Sequence, residues 1–157
     1  PGGTPLGIKL RTMALDGEAK SKIAEMFLFM ADRAEHIEEV IKKNKNDTII
    51  SDRSMISGIA YASALSIDEL INLNLIATNN TLPSHVILLE LTPNELKFRL
   101  SQKENDSIEL RGIDYLINIQ NRMKETIKRL NINHIIIDAS LKIEEIEKEI
   151  EDFINAE

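Results

Sequence analysis

The sequence predicts an α/β domain in which helices cover a parallel β-sheet. Three short apolar segments are typical of buried strands, and amphipathic helical patterns separate them along the chain. Continuous apolar runs suit strands that are covered on both faces, as the strands of a parallel sheet are. Strands that alternate with helices form βαβ units, so we expect right-handed crossover connections.

The three predicted strands are rich in β-branched residues or leucine and show little alternation with polar residues. They are DTIIS, HVILLEL and HIIID, residues 47–51, 85–91 and 134–138. Three strands are few, because an average sheet has about five or six. The chain also opens on PGGTPLG (1–7), whose glycines and prolines are turn residues. Both observations predict that the chain is truncated at its N-terminus.

The helices are predicted from apolar spacing and from capping residues. They are expected at residues 18–43, 66–78, about 93–101, 110–130 and 141–154. Ser66 and Glu69 have the spacing of a capping box, and Pro93 suits the first turn of a helix. The first helix carries an apolar stripe at spacings of three and four. This stripe consists of Ile23, Met26, Phe27, Met30, Ala34, Ile37 and Ile41.

Composition excludes several classes of protein. A chain of 157 residues, 43% hydrophobic and 29% charged, is ordinary for one soluble domain. The net charge of −7 argues against a nucleic-acid partner, since no basic excess neutralises phosphates. The absence of cysteine excludes thiolate metal sites and is compatible with the cytoplasm. No apolar run approaches the roughly 20 residues that cross a bilayer, so we expect no membrane partner.

The dipeptide Asp52-Arg53 directly follows the first predicted strand, at the edge of the sheet where α/β proteins bind ligands. A carboxylate there suits a magnesium-bound water, and the planar arginine fork suits phosphate oxygens. Ser57 and Tyr61 are four residues apart, so on a helix they share a face near Arg53. The alternative is a surface ion pair or a turn without a ligand.

Two further segments carry candidate binding residues. Phe29 and Arg33 are also four apart, and a ring beside a guanidinium suits a planar base. The alternative there is a half-buried Phe next to a solvated Arg. The polar loop 99–112 contains three cations that suit a phosphate donor, Arg99, Lys103 and Arg111. An ordinary solvated connection explains the same loop composition.

Five segments, in this order, resemble the bacterial thymidylate kinase family, whose members phosphorylate dTMP. They are PGGTPLGIKLR (1–11), FLFMADRAEHIEEVIK (27–42), IISDRSMISGIAYA (49–62), DSIELRGIDYLINIQNRM (106–123) and IIIDAS (135–140). The resemblance covers almost the whole chain. It implies the parallel sheet with flanking helices of P-loop nucleoside monophosphate kinases, in a single domain over residues 1–157 whose LID lies at about 101–111.

The resemblance assigns a role to each candidate residue. Phe29 corresponds to the ring that stacks on thymine, and Arg33 to the arginine that hydrogen-bonds the base. Arg53 corresponds to the arginine on the dTMP phosphate, beside Asp52, which would hold Mg²⁺ through water. The nucleoside pocket would be lined by Ser57, Gly58 and Tyr61. The cations expected near the transferred phosphoryl group are Arg11, Lys103 and Arg111.

The resemblance also implies a reaction and its partners. ATP, with Mg²⁺, would donate the phosphoryl group directly to dTMP, and the protein would form a homodimer to which helix 18–43 contributes. Ser107 departs from an arginine that many relatives carry in the LID, so Lys103 and Arg111 remain alternatives for the catalytic cation.

The phosphate-binding loop of the family, G-x-x-x-x-G-K-[ST], does not occur in these residues. In the family this loop precedes the PGGT segment, so we expect the first two strands to be missing and the chain as given to lack activity. Two other hypotheses remain open: a different nucleoside or nucleotide kinase, and a non-catalytic homologue that binds nucleotide or dimerises. A zinc site is not expected, because the three histidines are isolated in a chain without cysteine.

Overall fold

The computed structural model describes residues 2–102 and 109–156, which form two compact units. The first unit is Pro1–Leu82 and the second is Pro83–Glu157. Every regular element of the first unit is helical, whereas the second combines strands and helices. None of the helices in the described ranges is long and apolar enough to cross a membrane.

The first unit consists of short helices with hydroxyl caps. Their bounds are α1, Pro5–Leu15; α2, Lys22–His36; α3, Met55–Tyr61; and α4, Ile67–Ala77. At each N-terminus a Ser or Thr side chain accepts a backbone N–H of the first turn. In α4 the predicted capping box is confirmed, because the Glu69 carboxylate also accepts the backbone N–H of Ser66 at 2.9 Å.

Helix α2 is shorter than the predicted helix 18–43 and continues in less regular turns. It begins at Lys22 because Ser21 accepts the backbone N–H of Ala24. A π-helical turn, Ile37–Ile41, and a 3₁₀ turn, Lys42–Asn44, follow it. The predicted apolar stripe is only partly buried. Met26, Met30 and Ile37 lie in the core, but Ile23 and Phe27 are exposed.

The predicted strand at 47–51 is wrong. Among the described residues the sheet has two strands rather than three, and neither includes this segment. The Ile50 side chain is 93% exposed. Isoleucine and threonine favour extended backbone, but a strand forms only where a second backbone takes its hydrogen bonds. The segment therefore leads to Asp52-Arg53 as an irregular connection.

The second unit is built on two parallel strands, β1 (His85–Glu90) and β2 (Asn133–Asp138). Their register pairs His85 with Asn133 and Glu90 with Asp138, and confirms the parallel pairing expected from βαβ connections. Between them lie α5, Pro93–Leu100; a 3₁₀ turn, Glu109–Arg111; and α6, Ile113–Leu130; after them comes α7, Ile143–Ile154.

Local contacts fix the ends of these strands. The Gln120 side chain of α6 accepts the backbone N–H of Leu91 at 2.9 Å and donates to its carbonyl at 3.0 Å. After β2, the Ser140 hydroxyl and backbone N–H hold the pKa of Asp138 below its usual value. Helix α6 begins three residues later than predicted, because the 3₁₀ turn ends at Arg111 and Gly112, whose φ is +95°, separates it from the helix.

Candidate functional site

Arg33 is a cation of α2 that is anchored by a neighbouring helix. Its Nη1 donates a 2.9 Å hydrogen bond to Oδ1 of Asn74 on α4. Asn74 is 1% exposed, and its own Nδ2 donates to the Leu70 carbonyl at 2.7 Å. Arg33 therefore links α2 to α4 through a buried amide.

Gly58 on α3 provides the space that the Arg33 guanidinium occupies. A Cβ built on Gly58 would lie 1.7 Å from Nη2 and 2.6 Å from Cζ of Arg33. No side chain fits at this distance, so the planar group rests directly on the α3 backbone. Gly58 is required here for close approach rather than for an unusual φ.

Burial determines the electrostatics of Arg33. Loss of water around the guanidinium lowers its pKa, and the adjacent Asp32 carboxylate acts in the opposite direction. The guanidinium stays charged, because arginine is not deprotonated in proteins. The alternative of a solvated arginine beside Phe29 is therefore wrong. Phe29 itself is half-buried, one turn before Arg33 on α2.

Arg53 contacts the same helix as Arg33, nearer to the C-terminus of that helix. Its Cζ lies 5.8 Å from the centroid of the Tyr61 ring, which is within the range of a cation–π contact. Its backbone has φ +67°, in the left-handed region, and its carbonyl accepts the Ser51 hydroxyl at 2.7 Å. This conformation turns the chain sharply just before α3.

Helix α3 brings the two arginines to one face. Gly58, which contacts Arg33, and Tyr61, which contacts Arg53, are three residues apart and so lie on the same side of the helix. Ser57 precedes Gly58 and is half-buried. Residues 29, 33, 53, 57, 58 and 61 thus belong to α2, α3 and the turn before α3, all within one unit.

Residues 2–4 pack against α2 at Asp32, which directly precedes Arg33. The Gly2 N–H donates to Oδ1 of the buried Asp32 at 2.8 Å. A Cβ on Gly7 would lie 2.3 Å from the same oxygen, so the start of α1 also packs on this carboxylate. The Cδ of Arg11 lies 3.2 Å from the Cβ position of Gly2. Arg11 therefore packs over Gly2, whose N–H is bonded to Asp32, the residue before Arg33.

Asp52 is an exposed carboxylate at the turn before α3. No group of three or more histidine, aspartate or glutamate side chains suited to a metal occurs within residues 2–102 and 109–156. Mg²⁺ commonly takes one or two carboxylates and fills its other positions with water and substrate phosphates. A single accessible aspartate fits that mode of binding.

The second unit contains the other predicted cations. Arg111 donates from Nη1 to the Tyr115 hydroxyl at 3.1 Å, and its Cζ lies 5.1 Å from the centroid of that ring. Arg99 donates to the Ala139 carbonyl and pairs with Glu95. Lys103 and Ser107 lie outside the described residues.

Asn74 and Asp32 are the polar residues that sequence reasoning missed. The run LINLNLIA contains two asparagines, and the helical spacing of Asn74 from Leu70 and Ile71, four and three residues, was the signal that it shares their face. Asp32 precedes Arg33 directly, but nothing in the sequence distinguishes a buried aspartate from an exposed one. Both contacts depend on how the helices pack.

Comparison with known proteins identifies close relatives. The sequence profile of the family described as thymidylate kinase matches residues 1–150. A thymidylate kinase of Aliarcobacter butzleri is 81% identical over 155 residues, which cover 99% of this chain and 82% of that protein. A thymidylate kinase of Wolinella succinogenes is 53% identical over 146 residues, covering 93% and 77%. A third, of Sulfurimonas denitrificans, is 48% identical over 158 residues, covering 99% and 83%.

The packing of Arg33 on Gly58 predicts the sign of a stability change. Replacing a helical glycine with alanine normally stabilises a protein by up to about 1 kcal/mol. We expect Gly58→Ala instead to destabilise it by about 1–3 kcal/mol, because the new methyl group overlaps the guanidinium. Urea denaturation of the wild type and the variant measures the difference.

The matched control is the same substitution in an Arg33→Ala background, where the overlap no longer exists. There, Gly58→Ala is expected to be neutral or stabilising. Stabilisation by Gly58→Ala in the wild-type background would show that the guanidinium does not rest on α3.

Proposed function

This chain belongs to the thymidylate kinase family, and from that premise we propose that it transfers the γ-phosphoryl group of ATP to dTMP. The products are dTDP and ADP. One observation supports the assignment of the acceptor site most strongly: Arg33 and Arg53 contact the same face of α3, three residues apart. A nucleotide has a base at one end and a phosphate at the other, so two separated cations on one face suit it.

The base end of the site is assigned to Phe29 and Arg33. The ring of Phe29 offers a flat apolar surface for stacking, and Arg33 has N–H donors for a carbonyl of the pyrimidine. Because Asn74 and Gly58 restrain the guanidinium, little side-chain entropy is lost when the base binds. Ser57, Gly58 and Tyr61 on α3 complete the proposed nucleoside pocket.

The phosphate end is assigned to Arg53. Its guanidinium is exposed and lies by the Tyr61 ring, so it is accessible to the 5′-phosphate of dTMP. Neutralising this dianion matters because the attacking oxygen must approach a donor that is also anionic. Arg11 is proposed near the transferred group, and Lys103 and Arg111 remain the two candidates for the LID cation.

In the proposed reaction an oxygen of the dTMP phosphate attacks the γ-phosphorus of ATP in line with the leaving group. A new P–O bond forms as the bond between the γ-phosphorus and the bridging oxygen to the β-phosphate breaks, and that electron pair leaves with ADP. No covalent intermediate with the protein is needed. Positioning and charge neutralisation by the arginines provide the protein's contribution.

Mg²⁺ is the proposed metal, with Asp52 as its contact through water. When bound, it offsets negative charge on the phosphates. We also propose the parallel-sheet fold of P-loop nucleoside monophosphate kinases and a cytoplasmic location. The parallel pairing of β1 with β2 supports this fold.

A homodimer is proposed through α1 and α2. Exposed apolar side chains on these helices include Ile8, Met13, Leu15, Ile23 and Phe27. An open groove of about 430 Å³ lies between them, lined by Met13, Glu18, Ala19, Ala24, Phe27 and Leu28. Exposed apolar side chains beside a groove lined mainly by apolar residues are typical of a protein interface.

The activity is tested by a substrate panel with the complete gene product. ADP release from MgATP is followed with dTMP, dUMP, dGMP or thymidine as the acceptor, and dTMP is expected to have the highest kcat/KM. Arg53→Met is expected to lower kcat/KM for dTMP about 100-fold or more, since a charge-assisted phosphate contact is lost.

Arg129→Met is the control, because it removes another arginine, one that pairs with Glu125 on α6. It is expected to leave kcat/KM unchanged. Preference for another acceptor would support a different nucleotide kinase, and ADP release that does not depend on any acceptor would contradict the proposed function.

The dimer is tested by the mass of the protein in solution. Phe27→Lys places a charge in the groove, and light scattering coupled to size exclusion is expected to show a monomer. Ile143→Lys on α7, where the isoleucine is 71% exposed, is expected to remain a dimer. A wild-type monomer at micromolar concentration would overturn the proposal.

A further inference from the structure

Asn74 is a buried polar residue for which the proposed reaction has no direct use. It occupies the middle of α4 and is flanked there by Leu73 and Leu75. A buried amide is costly unless its N–H groups and its oxygen are hydrogen-bonded. Because burying an amide costs free energy unless it is hydrogen-bonded, the hydrogen bonds of Asn74 indicate its role.

The two contacts of the Asn74 amide fix its orientation. Nδ2 donates to the Leu70 carbonyl of its own helix at 2.7 Å, so Oδ1 faces away from that carbonyl. Oδ1 accepts from Nη1 of Arg33 at 2.9 Å. A flipped amide would oppose N–H to N–H at Arg33 and oxygen to oxygen at Leu70. Both contacts therefore favour one rotamer.

Gly58 restrains the opposite side of the same guanidinium. The Nη2 atom lies where the Cβ of any other residue would be, so α3 blocks movement in that direction. Arg33 has five N–H donors, and the contact with Asn74 uses one of them. The guanidinium is thus fixed by α3 and α4 while further donors remain for a ligand.

We propose that Asn74 is a positioning residue for recognition of the pyrimidine base: it holds the guanidinium plane of Arg33 in the orientation that binds dTMP. This inference rests on the proposed role of Arg33 in base binding. Asn74 itself does not touch the nucleotide. Its effect passes through Arg33, which distinguishes it from a residue that only stabilises α4.

The experiment compares Asn74→Ala with Thr78→Ala in the complete gene product. Thr78 is a matched control because it is also buried, as the C-cap of α4, and its hydroxyl donates to the backbone carbonyls of Asn74 and Leu75. The affinity for dTMP is measured by calorimetry, and KM and kcat by ADP release. Thermal unfolding reports the stability of each variant.

Asn74→Ala is expected to weaken dTMP binding about tenfold, the order of one hydrogen bond to a charged group, and to raise the KM for dTMP correspondingly. The kcat at saturating dTMP and the KM for ATP are expected to change less than about twofold, because transition-state groups are untouched. Thr78→Ala is expected to lower stability without changing dTMP affinity.

Two further variants keep the test decisive if Asn74→Ala folds poorly. Asn74→Ser is too short to reach Arg33 and is expected to weaken dTMP binding as alanine does. Asn74→Asp loses the N–H that bonds the Leu70 carbonyl but keeps an oxygen for Arg33, now as a charge-assisted contact, and is therefore expected to bind dTMP more tightly than the serine variant. Equal losses in the serine and aspartate variants would overturn the inference.

A double-mutant cycle with Arg33→Met separates this inference from the proposed function. If Asn74 acts through Arg33, Asn74→Ala is expected to change dTMP affinity less than about twofold in that background. If Arg33→Met weakens dTMP binding but the single variant Asn74→Ala binds dTMP as the wild type does, only the role of Asn74 is overturned. Unchanged binding by Arg33→Met would overturn the assignment of Arg33 to the base.

Discussion

Three helices of the first unit meet at one partly buried guanidinium. Arg33 projects from α2, lies on the α3 backbone at Gly58 and is hydrogen-bonded to Asn74 of α4. A buried charge is tolerated only where polar partners replace the lost water, and here one amide and the adjacent Asp32 do so. The position of a cation on this face is thus determined by packing rather than by a flexible surface side chain.

Asp32 extends the same constraint to the start of the chain. It is the neighbour of Arg33 on α2, and it accepts the Gly2 N–H and packs against Gly7. Asp32 therefore joins α2 to residues 2–7, and Arg33 joins it to α3 and α4. A change in the path of α2 would displace Arg11, which packs over Gly2, together with the guanidinium.

Helix boundaries that are set by residues close in sequence were predictable. The Ser66–Glu69 capping box and Pro93 position helices through neighbours in sequence, and the structure has both helices within a residue of the prediction. The strand at 47–51 failed because its backbone partner is not a local property. Phe27 was assigned to the core by spacing alone, yet it is half exposed. Spacing predicted that Phe29 and Arg33 share a face. The hydrogen bond between Arg33 and Asn74 depends on how α2 packs against α4, which the sequence does not show.

The most direct test of this account is a crystal structure of the complete gene product with dTMP bound. The account predicts that the thymine ring stacks on Phe29 and accepts a hydrogen bond from Arg33 while the contact with Asn74 is kept, and that the 5′-phosphate lies at Arg53. A base bound away from α2, or a guanidinium that leaves Gly58 and Asn74 to reach it, would contradict the account.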